Sequence, residues 1–210
     1  MSQRNPPDED DSGLLDAARA CVMDFGVRRT TLTDVARRAG VSRMTVYRHY
    51  PDVTSVIAAL MTRDFTAAIV AASERAEGGS ARERLVDETC RAVGALVDSP
   101  LFQRILDVDP ELVLPYLTVR RGGIQRLAVA RFATLIAEGQ ADHSIRAGDP
   151  EILASAIELT LRGYVFASGA ASAGQAQALG AELRMMLDGY LRPDPAAAKR
   201  SRRIHAKAVR

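Results

Sequence analysis

Tryptophan is missing from this 210-residue chain, and aromatic residues of any kind make up only 5% of it. Strands favour aromatic and β-branched side chains, so a chain poor in the former and rich in alanine and arginine is expected to be helical. Cysteine is nearly absent too. Cys21 and Cys90 each fall in an apolar helical pattern, which suits buried thiols and supports neither a disulfide framework nor a metal site. The three histidines, His49, His143 and His205, stand far apart with no partner at ligand spacing. No Walker loop, GxSxG elbow or cysteine-histidine pattern occurs, so neither an enzyme nor a cofactor is expected. The glycine-rich stretch from Gly169 to Gly174 lacks the Lys-Ser/Thr that would follow in a phosphate cradle, and reads as a loop between helices. Long hydrophobic runs are lacking as well: none approaches the roughly 20 residues of a membrane helix. The acidic N-terminus is unlike a signal peptide. A cytoplasmic protein with no membrane partner is expected.

Net charge is only +2, but it is unevenly placed. Asp8 to Asp11 form an acidic run in a lead-in, residues 1–11, that reads as disordered. Residues 193–210 read as a disordered basic tail ending in "KRSRRIHAKAVR", either a solubilising end or a nonspecific DNA clamp.

What is present between those ends is helical periodicity. Leu14, Leu15, Ala18, Val22 and Phe25 form a stripe, closed by Gly26. Asp52 opens a helix running towards Glu77, closed by Gly78 and Gly79. Ser80 and Glu83 have capping-box spacing. Ser99-Pro100, Asp109-Pro110 and Asp149-Pro150 each place a capping side chain before proline at a first helical position. A further helix is expected from about Thr118 to Glu138, stopped by Gly139. With no strand pattern and no repeat, the fold class is all-α.

The last two helices carry a second signal. Ile152 to Phe166 is apolar nearly all round, broken only by Glu158 and Arg162, and such a helix needs cover on every side. Ala176, Leu179, Leu183, Met186 and Tyr190 alternate three- and four-residue steps, as a bundle seam does. A homodimer is expected, its interface a four-helix bundle with two helices from each subunit. A single intramolecular core is the alternative.

The densest information lies in "TTLTDVARRAGVSRMTVYRHY", residues 30–50. Leu32, Val35, Ala36 and Ala39 line one face of a short helix that Thr31 caps and Gly40 ends. Ser42 then caps a second helix, with Val46 and Tyr50 inward. Left outside are Arg43, Met44, Thr45, Tyr47 and Arg48, with His49 at the end. Arginine matches the major-groove edge of guanine and the threonine methyl suits thymine, while Tyr47 and His49 suit phosphates. Thr31 and Thr33 could add a phosphate at the first helix's start. Residues 12–63 hold eight arginines against four acidic residues, a local excess that the near-neutral total hides. A merely solvated charged face is the competing reading.

The run "TTLTDVARRAGVSRMTVYRHYPD", after a helix ending in "DFG", resembles the N-terminal domain of the TetR family of transcriptional regulators. The likeness covers roughly residues 12–60 and includes Ala36, Gly40, Val41, Tyr47 and the Tyr-Arg-His-Tyr ending; beyond it only the architecture is similar. The resemblance implies a DNA-binding head over 12–51 and a helical effector-binding and dimerisation domain over 52–192. It implies a homodimeric repressor on a palindromic double-stranded DNA operator, released by a small, largely apolar effector. Phe102, Tyr116, Gln125, Phe132, Tyr164 and Phe166 are the candidate pocket residues, although aromatics at helical spacing also make plain core. An activator, an architectural DNA-binding protein, or a small-molecule-binding scaffold without DNA affinity are the alternatives. One position departs from the family. Val53 stands where members often carry a phosphate-binding lysine, so a weaker backbone clamp is expected unless Arg28, Arg29 or Arg4 compensates.

Overall fold

The computed structural model describes residues 9–75, 79–109, 123–168 and 173–193, and among these the only regular elements are helices. They are α1 (Glu9–Phe25), α2 (Leu32–Ala39), α3 (Arg43–His49), α4 (Val53–Glu74), α5 (Ala81–Val97), α6 (Pro100–Val108), α7 (Gly123–Ala141), α8 (Pro150–Ser168) and α9 (Ala173–Leu191). The all-α expectation is met. The chain divides into two units, Met1–Ala68 with Leu96–Arg120, and Ile69–Ala95 with Arg121–Arg210.

The first unit is built on the α1 stripe. Leu14, Leu15, Ala18 and Val22 are buried, together with Leu32, Val35 and Ala36 of α2, Val46 of α3, and Val56, Ile57 and Leu60 of α4. Leu101 and Ile105 of α6 complete the same core, so the unit draws in residues well beyond position 51. Phe25 does not join it and stays 40% exposed, because Gly26 turns the chain away with φ at +79° while its N–H caps the Val22 carbonyl. A β-carbon on Gly26 would also lie 2.9 Å from Val108, so the turn and the end of α6 are in close approach. The helix that Asp109-Pro110 is expected to start lies outside the described residues, but Asp109 itself has a task within the first unit. Its buried carboxylate accepts the Val27 N–H at 2.7 Å and sits 3.5 Å from the Arg28 guanidinium.

α1 begins at Glu9, inside the stretch expected to be disordered, and acidic residues in a first turn favour helix. α4 alters another expectation. Among the described residues it is the one helix long and apolar enough, by length and composition, to cross a membrane. Its middle carries Arg63 and Asp64, which pair with Asp16 and Arg19 of α1, while Val56 and Leu60 fill the core.

In the second unit the local signals hold. Ser80 and Glu83 make the reciprocal capping box, and Asp149 accepts the Glu151 and Ile152 N–H groups at the start of α8. Asp142 adds a long-range cap by accepting the Ala81 N–H at 2.9 Å. Gly139 does not stop α7, which continues to Ala141. Its missing side chain serves packing instead, since a β-carbon there would fall 2.4 Å from Ile145. α7 lies along α8, and α8 along α9. The expected seam of α9 splits in two: Leu183 is buried with Leu187 and Leu191, whereas Leu179, Met186 and Tyr190 stay exposed. On α8, Ile152 and Leu159 are likewise uncovered, while Glu158 is buried in a pair with Arg162.

Candidate nucleic-acid interface

The α2–α3 pair owes its shape to local hydrogen bonds. Thr31 takes extended backbone angles and its hydroxyl accepts the Asp34 N–H, while the Asp34 carboxylate accepts the Thr31 N–H and hydroxyl. The Thr31 bond holds the Asp34 carboxyl below the usual aspartate range, with Arg37 contributing. Gly40 ends α2 with φ at +70°, a left-handed conformation that glycine adopts without a β-carbon clash. Two residues later Ser42 caps α3 by accepting the Thr45 N–H at 3.1 Å.

Packing then fixes which side of α3 faces out. Val46 is fully buried and Tyr50 nearly so. The Tyr50 hydroxyl donates to Asp11 at 2.5 Å, tying the end of α3 to α1; burial, then this bond, pushes the phenol well above its ordinary pKa. His49 lies 3.9 Å from the same carboxylate and 3.5 Å from Arg48, and is partly buried. Arg43, Met44, Tyr47 and Arg48 remain exposed, with Met44 at 76% and Tyr47 at 51%. Thr45 is half-buried, and its hydroxyl is 2.9 Å from that of Ser42.

The two α2 threonines differ. Thr31's hydroxyl is committed to the capping box, beside an acidic group that repels phosphate, whereas Thr33 is half-buried with no such engagement. Asp52 caps α4 by accepting the Ser55 N–H at 2.7 Å, and Val53 leans on the core, so neither residue brings a cation to that corner. Arg28 is drawn to Asp109, and Arg29 donates to the Phe25 carbonyl at 2.9 Å. Both are thus engaged within the first unit, and Arg4 lies outside the described residues.

The candidate pocket residues fall in both units. Phe102 is core in the first unit, edge-on to Phe65 with ring centres 5.7 Å apart. Gln125, Phe132, Tyr164 and Phe166 belong to the second unit and are half-buried; Tyr116 lies outside the described residues. The Gln125 carbonyl oxygen is buried without a hydrogen-bond partner, which residue type alone did not reveal. Sequence reasoning also missed Asp11, because its partner Tyr50 lies 39 residues away.

A doubly capped helix pair that buries Val46 and turns arginine, methionine and tyrosine outward defines a helix-turn-helix DNA-binding protein. Residues 14–60 match the family model described as bacterial regulatory proteins, tetR family. The chain is 35% identical over 159 residues to an HTH-type transcriptional regulator of Mycobacterium bovis, covering 76% of this chain and 82% of that one. A regulator of Mycobacterium tuberculosis is 34% identical over the same shares. A TetR-family regulator from Pectobacterium atrosepticum has a similar structure, with a TM-score of 0.70 at 27% identity over 90% of this chain and 98% of that one. The repressor QsdR of R. erythropolis shares the fold at a TM-score of 0.62 and 17% identity over 89% and 98%. A complex of SmeT with triclosan does so at 0.62 and 20% over 90% and 94%. The chain belongs to the TetR family: it is a DNA-binding transcriptional regulator, not an enzyme.

Proposed function

We propose that the protein is a cytoplasmic, homodimeric repressor that leaves a palindromic operator when a small, largely apolar molecule binds it. The observation that carries this reading is the outer face of α3, where Arg43, Met44, Tyr47 and Arg48 stand exposed over a buried Val46. Arg43, Met44 and Thr45 face base edges; Tyr47, Arg48, His49, Ser42 and Thr33 position the helix on phosphates, and Thr31 shapes the start of α2. Functionally, residues 12–51 are the reading head and 52–192 the effector and dimer body, flanked by 1–11 and 193–210.

Dimerisation is supported by the uncovered apolar residues of α8 and α9: Ile152, Leu159, Leu179, Met185, Met186 and Tyr190. Two such faces related by a twofold axis make a four-helix bundle. An effector site among Gln125, Phe132, Tyr164 and Phe166 is supported by the unpartnered Gln125 oxygen, which a ligand donor would satisfy. Ligand release and repression are also in keeping with the triclosan complex of SmeT and the repressor QsdR. Effector binding would favour dimers whose heads are wrongly spaced for the operator.

Selection of random duplexes with the full-length protein tests the reading. A palindromic consensus is expected, and Tyr47→Ala should lose retention of it while keeping wild-type helicity and dimer mass. A Tyr47→Ala variant that binds the consensus as well as wild type would overturn the α3 assignment.

A further inference from the structure

The exposed end of α3 is unusually apolar for a DNA-facing surface. Met44 is 76% exposed and contributes nothing to the core below it. It has no hydrogen-bond donor and only a weakly accepting sulfur, so it reads no polar base edge. Thr45 beside it looks polar in sequence, but its N–H is given to Ser42 Oγ at 3.1 Å and its hydroxyl is 2.9 Å from the same oxygen. The Thr45 N–H is thus committed to the cap and its hydroxyl is engaged with Ser42, while its γ-methyl carries no such tie. Two methyl-bearing side chains stand together in the first turn of α3, the part of a recognition helix that meets base edges. They are flanked by the exposed, cationic Arg43 and Arg48.

The major groove offers one apolar group, the 5-methyl of thymine. We propose that Met44 and Thr45 are specificity-determining residues that read thymine 5-methyl groups in each half-site. The inference rests on the α3 reading above and adds the chemistry that α3 selects. Arg43 supplies the adjoining polar contact, a guanine edge. Methionine suits the task because its flexible, polarisable end adapts to a methyl group whose position varies with local DNA twist.

The test uses the full-length protein and the consensus duplex recovered from random DNA, with each thymine in turn replaced by uracil. That change deletes only the methyl group and leaves pairing intact. Wild-type protein is expected to bind about fourfold more weakly for each methyl lost at a read position, from roughly 0.8 kcal/mol per buried methyl-sized group. Met44→Ala should lose the penalty at one position per half-site while keeping the wild-type salt dependence. Thr45→Val, which keeps a methyl but loses the hydroxyl, should retain its penalty, and Thr45→Ser, which keeps the cap bond, should lose it. A wild-type protein that binds the all-uracil and thymine duplexes equally overturns the methyl reading and leaves the α3 assignment standing. Full uracil penalties in Met44→Ala overturn the role given to Met44. Failure to select any sequence overturns both readings together.

Discussion

Single residues show most plainly how sequence distance limits inference. Thr31, Ser42, Ser80, Ser99 and Asp149 are all legible as caps because their partners lie within three residues. Asp109 satisfies the same local rule, yet its partner is an amide 82 residues earlier. Nothing in the stretch around it signals that bond. Asp109→Ala leaves the buried Val27 N–H unpaired and should lower stability by about 1–3 kcal/mol, read as a fall in the urea midpoint. Asp109→Asn, which still offers a carbonyl oxygen, should cost less than the alanine variant. Equal losses would mean that the carboxylate's hydrogen bond is not what holds the turn.

At the level of elements, helix starts were readable and faces less so. The α9 pattern of three- and four-residue steps marks an amphipathic helix, but periodicity cannot say which apolar residues meet their own subunit. Packing places Leu183 inside and Met186 outside. Gly139 carries the same lesson: glycine near a helix end suggests a stop, whereas here it admits Ile145. Gly139→Ala should therefore destabilise by about 1–3 kcal/mol through overpacking, although alanine is the better helix former. A rise in melting temperature would instead mean that alanine's helix propensity outweighs the approach of Ile145. The capping carboxylates give a pH prediction. Bonds from Ser80 hold Glu83 below its usual range, and the Ala81 amide and Ser144 do so for Asp142. A depressed pKa in the folded state stabilises above the unfolded-state value, and that contribution is lost as pH falls through the folded one. It should be complete above about pH 5 and decline below about pH 4. The doubly substituted Glu83→Gln, Asp142→Asn protein should show a flatter acid limb when melting temperature is followed from about pH 5 downward through the acid range.

For the whole molecule, the family was legible because the head's sequence is short, local and chemically constrained, while the body shows only helices and apolar faces. The proposed dimer can be separated from the head by experiment. Leu159→Glu combined with Met186→Glu should yield a monomer by analytical ultracentrifugation, with circular dichroism unchanged and operator affinity lost by a hundredfold or more, on the order of a lost half-site's contribution. A dimeric double variant would move the interface elsewhere. The arrangement of α3 also bears on how such regulators diversify. Its stability resides in the Ser42 cap, in Val46 and in the tie from Tyr50 to Asp11, none of which needs the identity of Met44 or Tyr47. Exchanges at the exposed positions are thus nearly neutral for folding, usually within about 0.5 kcal/mol. A duplicated copy of this chain could drift to a new set of promoters through two or three such exchanges and pass through no unfolded intermediate on the way.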